Sequence, residues 1–212
     1  MTPADRSLTE RRAELELQVG DSTTGLRLLQ ELSESYPDDP ELAEKLAEAK
    51  FVWRLVMLPD EAKDLVKRTE LTRGDFASVL YWLFPEVRYS RPASGRIVND
   101  IFDHPSREQI VRVVNLGLME VDVALHHFEP QRPVSRLEAL TSYLGLMGRN
   151  QPRPACLGTY DAGLGASVDA VCEVAARCGL VAEVADCLPL GPLSGPTSAQ
   201  MSRRVLEQLG AE

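Results

Sequence analysis

The chain has 212 residues, 44% of them hydrophobic and 26% charged, a composition typical of a globular protein with a packed core. A formal net charge of −9 argues against a nucleic-acid-binding surface, because such surfaces concentrate lysine and arginine. The longest apolar runs are too short to cross a bilayer, so no transmembrane segment is predicted. The N-terminal stretch lacks the apolar core of a secretory signal, so we expect either an intracellular protein or a chain whose signal has been removed.

Residues 1–39 are predicted to form a helical hairpin. A charged helix with a stripe of Leu and Ala ends near Gly20, and a second amphipathic helix follows it. The turn YPDDP ends this second helix because its prolines disfavour continuation, and Asp39 can cap the next helix. The hairpin and its YPDDPEL turn resemble one tetratricopeptide unit, which we expect to pack beside the domain that follows.

Three later stretches, LTRGD, VSRLE and PTSAQ, begin a helix in the same way. In each, a hydroxyl residue stands three positions before an acidic or amide residue: Thr72 before Asp75, Ser135 before Glu138, and Thr197 before Gln200. This pattern predicts a capping box, in which the hydroxyl oxygen accepts from the N3 amide and the N3 side chain accepts from the cap amide. The three starts are 63 and 62 positions apart, which indicates an internal repeat.

Each repeat is predicted to contain two helices joined by an irregular connection. Gly117 and Gly179 align at the end of the first helix, where a left-handed glycine commonly ends a helix. Phe128 and Leu190 align in the connection as apolar plugs, each with a proline two positions later. We therefore predict an all-α fold with a hairpin at 1–39 and a domain at 40–212, whose repeats span about 40–90, 97–150 and 158–210.

The repeats resemble the S-layer homology motif. The stretches DIFDHPSREQIVRVVNLGLM, HFEPQRPVSRLEA and LTRGDFASVL are similar to the family's aspartate-containing entry, Gly-Leu step, F-x-P loop and Thr-Arg-Ala-Glu helix start. The resemblance implies three two-helix repeats around a pseudo-threefold axis, which together form a helical prism. It also implies a non-covalent anchor that binds anionic, often pyruvylated, cell-wall polysaccharide in grooves between the repeats.

Under this resemblance, the glycan lies at the helix starts of the first two repeats. The candidate residues for glycan or anion binding are Thr72, Arg73, Asp75, Ser135, Arg136 and Glu138. Arg73 and Arg136 are the main candidates, because a guanidinium beside the free amides of a helix N-terminus can clamp a carboxylate. The third start offers only Ser198 at the matching place, so the third repeat is expected to be structural.

A plainer interpretation of the same residues stays open. Either arginine can be solvated or can pair with the acid of its own box, Asp75 or Glu138, without binding any ligand. The two hydroxyl residues are then helix caps and nothing more.

The four cysteines lie in the last third of the chain, and none belongs to a C-x-x-C pair: Cys156, Cys172, Cys178 and Cys187. This spacing favours two disulfides in an exported domain over a zinc site, with four buried thiols as the alternative. Cys172 and Cys178 are separated by about 9 Å of rise in one predicted helix, too far to bond each other. The preferred pairing is Cys178–Cys187 with Cys156–Cys172, and the second choice is Cys172–Cys187 with Cys156–Cys178.

No catalytic constellation is visible in the sequence, so we expect neither an enzyme nor a cofactor. The three histidines, His104, His126 and His127, have no ligand at a metal-binding spacing, so no metal site is predicted. The favoured function is a non-catalytic cell-envelope module that attaches to cell-wall or peptidoglycan-linked anionic polysaccharide. The alternative is a structural protein–protein subunit of an envelope assembly that no longer binds glycan. Either function predicts a location in the periplasm or at the cell surface, and no nucleic-acid partner.

Overall fold

A computed structural model describes residues 3–92, 95–161 and 166–210, and this part of the chain is all-helical, without a β-strand. The prediction of an all-α fold is therefore confirmed for the described residues. None of the helices in these three ranges is long and apolar enough to span a bilayer. The chain divides into two compact units, with the division between Met57 and Leu58.

The described part of the first unit contains three helices, α1 (Pro3–Val19), α2 (Ser22–Ser35) and α3 (Pro40–Val56). Asp21 caps α2, and Asp39 caps α3 by accepting from the first amides of that helix, as the sequence predicts for Asp39. One apolar cluster joins all three helices, with the buried members Ala13, Leu28, Leu29, Leu32, Leu42, Leu46 and Ala49.

The observed division lies downstream of the predicted boundary at 39/40. The reason is the buried face of α3, which places Leu42, Leu46 and Ala49 in the core that α1 and α2 share. The predicted first repeat at about 40–90 therefore loses α3 to the first unit. A hairpin of α1 and α2 is present, and α3 completes its core.

The second unit contains seven α-helices in its described part, together with two 3₁₀ turns at Ala155–Leu157 and Val184–Cys187. The helices are α4 (Asp60–Leu65), α5 (Arg73–Leu83), α6 (Pro85–Tyr89), α7 (Arg107–Asn115), α8 (Arg136–Gly148), α9 (Val168–Arg177) and α10 (Gly195–Leu209). The long helices α5, α8 and α10 each begin at a side-chain cap, and we call these the first, second and third capped starts.

The first two capped starts have the predicted form, with Thr72 capping α5 and Ser135 capping α8 through complete capping boxes. The third differs from the prediction, because the cap of α10 is Ser194 and not Thr197. The Ser194 hydroxyl oxygen accepts from the Thr197 amide at 3.2 Å, so Thr197 lies at position N3. Pro196 explains the shift, since its fixed φ and missing amide suit the first turn of a helix.

A ring of three backbone hydrogen bonds joins the residues immediately before the three caps. The Leu71 amide donates to the Leu193 carbonyl at 2.8 Å, and the Leu193 amide donates to the Val134 carbonyl at 3.1 Å. The Val134 amide closes the ring by donating to the Leu71 carbonyl at 3.0 Å. All three side chains are fully buried. The three capped starts therefore meet in the core of this unit.

The helices beyond the ring bury side chains at matching positions. Four positions after each cap stand Phe76, Ala139 and Ser198, and eight positions after each cap stand Leu80, Tyr143 and Ser202. All six residues are fully buried. Tyr143 is the large member of its layer, and its hydroxyl bonds to the Ser198 and Ser202 hydroxyl groups at 2.9 and 2.8 Å. Burial raises the pKa of Tyr143 to about 12.

Gly117 and Gly179 end α7 and α9 in the same left-handed conformation, with φ of +70° and +73°, as the sequence predicts. At each end the next amide reaches back to a carbonyl of the last turn, Leu118 to Val113 and Leu180 to Ala175, both at 2.9 Å. This is the Schellman arrangement, in which glycine avoids the penalty that a β-carbon brings at positive φ.

Replacing either of these glycines by alanine is expected to lower the free energy of unfolding by about 1 kcal/mol, since no L-residue adopts this φ without strain. A β-carbon there meets no other atom within 4 Å, so the loss reports backbone strain alone. Gly148→Ala is the matched control, because Gly148 lies in α8 and a β-carbon there also meets no other atom within 4 Å. This substitution is expected to raise the free energy of unfolding slightly. Urea unfolding of the three variants measures these differences, and a loss in the control equal to that at Gly117 contradicts the explanation.

All four cysteines form disulfides, but the preferred pairing from sequence is wrong and the second choice is correct. Cys156 pairs with Cys178 and Cys172 pairs with Cys187, at Cα–Cα distances of 5.0 and 5.6 Å. Arg177 fixes the first pair by donating to the Cys156 carbonyl at 2.5 Å, which holds that residue against the end of α9. Two disulfides fit a protein that lies outside the reducing cytoplasm.

The residue that plugs the last connection also differs from the one predicted by the sequence alignment. Phe128 lies seven positions before its cap and is fully buried, as predicted. Leu190 is 91% exposed, and the residue seven positions before Ser194 is Cys187, which is buried. The shifted cap accounts for the error, since moving the third start by three positions moves the whole alignment of its connection.

Candidate functional site

Arg73 lies at the first capped start, and its side chain is only 6% exposed. Its Nε donates to the Phe128 carbonyl at 2.7 Å, and one Nη donates to the Glu120 carbonyl at 2.6 Å. The other Nη pairs with Glu138, and the guanidinium stacks on the Phe128 ring at 4.5 Å. Burial lowers the pKa of Arg73, although the charge of Glu138 opposes this effect. Arg73 thus ties the start of α5 to the connection and box of α8.

Glu138 receives bonds from both its own box and two arginines. The Ser135 amide donates to it at 3.0 Å, and Arg132 donates to its other oxygen at 2.6 Å, beside Arg73. Burial raises the pKa of Glu138, but the Ser135 amide and the charges of Arg73 and Arg132 outweigh burial and hold the pKa below its ordinary value. Glu138 is therefore a partly buried anchor of the fold, paired on both of its oxygens, and not an open carboxylate.

The lowered pKa of Glu138 predicts a specific loss of stability in acid. A carboxyl whose pKa is lower in the folded state contributes stability above its unfolded pKa, and that stability is lost as the pH falls through the folded value. We expect the free energy of unfolding of the natural chain to fall more steeply below pH 4.5 than that of Glu138→Gln. The control is Glu61→Gln at an exposed residue of α4, which is expected to keep the natural pH dependence. Parallel curves for all three proteins contradict the prediction.

Asp75 plays the matching part at the first capped start. It accepts from the Thr72 amide at 3.0 Å and from Arg68 at 2.8 Å on each oxygen. One Nη of Arg68 makes both contacts, and the Arg68 side chain is half-exposed, so water reaches this ion pair. The hydroxyl oxygens of Thr72 and Ser135 accept from the N3 amides of Asp75 and Glu138 at 3.2 Å each, so both residues are helix caps.

Arg136 differs from Arg73 in its surroundings, although both follow a cap directly. Its side chain is partly exposed, and one Nη donates to the Asp186 carbonyl at 3.3 Å. The acid that pairs with Arg73 has no counterpart at the third capped start, where Thr197 occupies N3. Arg73 and Arg136 therefore have different surroundings in the structure, although they hold equivalent positions in the sequence.

The first amides of α5 and α8 are already bonded within the protein. Those of Arg73 and Gly74 donate to the Arg132 and Pro130 carbonyls, both at 2.9 Å. Those of Arg136 and Leu137 donate in the same pattern to carbonyls of the next connection, at 2.9 and 3.1 Å. The N3 amide of each helix bonds to its cap. The free amides that an anion site at these helix starts requires are thus not available.

A cavity of about 240 Å³ opens beside Arg73. Its charged lining residues are Arg73, Arg132, Glu120, Asp122, Glu129 and Glu138. Four carboxylates against two guanidinium groups give this lining a negative balance, which opposes the entry of an anionic sugar. In the described ranges, no group of three or more His, Cys, Asp or Glu has a geometry that could hold a metal ion.

Two residues at this site were not predicted from the sequence. Arg132 donates to the same Glu138 oxygen as Arg73, and its spacing of six residues from the acid carries no helical signal. Asp100 accepts from the Phe128 and Glu129 amides at 2.8 and 2.6 Å, and it holds the turn in which Glu129 has a φ of +57°. The aspartate-containing entry of the motif was the signal that could have identified Asp100.

No protein-family model matches the chain, and no curated protein is significantly similar to it. The resemblance to the S-layer homology motif therefore rests on the quoted sequence stretches alone.

Proposed function

We propose that residues 58–210 form a prism of three repeats similar to an S-layer homology domain, and that the protein is a non-catalytic structural subunit of the cell envelope. In this proposal the three capped starts join the repeats to one another, and the outer surface contacts other proteins. The glycan clamp of the related motif is absent at Arg73, which serves the fold instead.

The observation that carries the proposal is the set of partners at the capped starts. Every amide in the first turn of α5 and α8 has a protein acceptor, and the Arg73 guanidinium bonds to three oxygens while buried. A ligand that displaced Glu138 from Arg73 would break an ion pair whose arginine is buried, a loss of about 3 kcal/mol because Arg132 still pairs with Glu138. Few glycan contacts offset such a loss. The partners of Arg73 and of the first-turn amides therefore favour a role in stabilising the fold over a role in binding a glycan.

The envelope location draws its support from the two disulfides and from the resemblance of the repeats. Disulfides persist in oxidising compartments, and the reducing cytoplasm seldom keeps them. The cyclic hydrogen bonds between Leu71, Val134 and Leu193 support an approximate threefold arrangement, since each capped start both donates to and accepts from its neighbours.

Anchoring to an anionic polysaccharide is the second candidate, and Arg136 favours it. This arginine is partly exposed, and its guanidinium makes one hydrogen bond at 3.3 Å within the described residues, so it has donors to offer a carboxylate. The polysaccharide would then bind only at the second capped start, and Arg73 would take no part in binding.

Cosedimentation with three forms of purified cell-wall sacculi distinguishes the two functions. One form is untreated, one is stripped of its attached polysaccharide by acid, and one is stripped of its proteins by protease. The structural proposal predicts binding that survives the removal of polysaccharide and is lost after protease. The opposite pattern favours the glycan anchor.

Arg136→Gln tests the second candidate in the same assay, with Arg91→Gln as its control at an exposed arginine elsewhere. Under the structural proposal both variants bind like the natural chain. Polysaccharide-dependent binding that only Arg136→Gln abolishes establishes the anchor instead. Absence of binding to every form of sacculus contradicts an envelope function of either kind.

A further inference from the structure

The connection that leads into the third capped start has little apolar packing of its own. Between residues 182 and 192 only Cys187 is buried, and three large apolar side chains are exposed: Val184, Leu188 and Leu190. The corresponding connection before the second capped start is held by the buried ring of Phe128 and by Arg73. The last connection has a cysteine at the plug position and no such arginine–acid pair.

The disulfides supply the attachment that packing does not. Cys172–Cys187 ties the middle of the connection to α9, and Cys156–Cys178 ties the end of α9 to the turn Ala155–Leu157. Besides these covalent links, the connection reaches α8 through the Gly191 and Pro189 carbonyls, which accept from the Arg136 and Leu137 amides. The side chain of Arg136 adds one bond to the Asp186 carbonyl.

We propose that residues 179–192 form a redox-dependent clasp, which closes over the start of α8 while Cys172–Cys187 is oxidised and opens when it is reduced. The reductant is a dithiol, either a small molecule or a thiol–disulfide oxidoreductase. One dithiol molecule reduces one protein disulfide: its two thiols lose two electrons and two protons and become a disulfide, while the protein disulfide takes them up and becomes two thiols. Reducing both protein disulfides therefore consumes two dithiol molecules. Opening frees the first two amides of α8 and the Arg136 side chain.

The order of reduction follows from the burial of the sulfur-bearing residues. Cys156 is partly exposed, whereas Cys172, Cys178 and Cys187 are buried. A dithiol therefore attacks Cys156–Cys178 first, because access controls the rate of exchange. The clasp opens only in the second step, when Cys172–Cys187 is cut and a loop with a sequence separation of 15 residues is released.

Amide hydrogen exchange at single-residue resolution tests the clasp, and the fold contains its own control. The Arg136 and Leu137 amides bond to the clasp, and the Arg73 and Gly74 amides make the same bonds to the connection that lacks cysteines. After reduction we expect exchange at Arg136 and Leu137 to become about 100-fold faster, the effect of releasing a 15-residue loop, with Arg73 and Gly74 unchanged. Unchanged exchange at all four amides overturns the proposal, and so does an equal rise at all four, which indicates global unfolding.

Two double variants separate the disulfides without any reductant. Cys172→Ala with Cys187→Ala is expected to reproduce the fast exchange at Arg136 and Leu137. Cys156→Ala with Cys178→Ala is expected to leave these amides protected, because it keeps the link between the connection and α9. If the two variants behave alike, the clasp does not depend on Cys172–Cys187 and the proposal fails. If the first variant does not fold, stepwise reduction of the natural chain, followed by exchange after each step, decides the question.

Discussion

Arg73→Gln is expected to lower the free energy of unfolding by about 3 kcal/mol, because it breaks an ion pair whose arginine is buried and leaves the Phe128 and Glu120 carbonyls without their donor. The loss lies at the low end for a broken buried pair, since Arg132 continues to neutralise Glu138. This is a large part of the 5–15 kcal/mol that stabilises a typical domain.

Arg136→Gln is the matched control for this variant, because Arg136 holds the same position after its cap. We expect its effect on the free energy of unfolding to stay within about 0.5 kcal/mol, as for most partly exposed substitutions. Urea unfolding of both variants measures the contrast. Equal losses would show that the two arginines are equivalent, as the sequence suggests, and would remove the basis for assigning Arg73 to the fold.

Tyr143→Ala is expected to lower the free energy of unfolding by about 3–5 kcal/mol, the range for deleting a fully buried aromatic side chain. The ring packs edge-on against Phe76 and Phe84, with centroids 5.4 and 6.1 Å away, so its removal leaves a cavity where α5, α8 and α10 meet. Thermal and urea unfolding of the variant measure the loss.

Tyr143→Phe separates the hydroxyl from the ring in this site. We expect it to cost about 1–2 kcal/mol, because the Ser198 and Ser202 hydroxyl groups then lose a buried partner. Tyr89→Ala is the control, since Tyr89 is 79% exposed and its loss is expected to be small. If Tyr143→Ala lowers the free energy of unfolding no more than this control does, Tyr143 does not pack in the core where α5, α8 and α10 meet.

The sequence was sufficient for features that depend on neighbours along the chain. The capping boxes at Thr72 and Ser135 and the left-handed glycines Gly117 and Gly179 were predicted correctly, because each needs only a short local pattern. The third cap was predicted three positions late. Both Ser194 and Thr197 can cap a helix, and the local sequence could not show that Gly195 and Pro196 lie within the first turn.

Features that depend on distant segments could not be derived in this way. The disulfide pairing depends on where the turn at Cys156 lies against α9, and the interaction of Arg177 with that turn has no signature in sequence. In the same way, Arg73 and Arg136 occupy equivalent local positions. Their different burial arises from residues 65 and 61 positions further along the chain, where Glu138 is present in one case and Thr197 in the other.

The central claim is that the three capped starts form one closed core in the second unit. Native-state amide exchange of Leu71, Val134 and Leu193 in the oxidised protein tests it most directly, because these three amides form the ring. A closed core predicts that all three exchange only through global unfolding of this unit, with the same large protection factor. Fast exchange at any one of them, at a rate typical of loop amides, would contradict the claim.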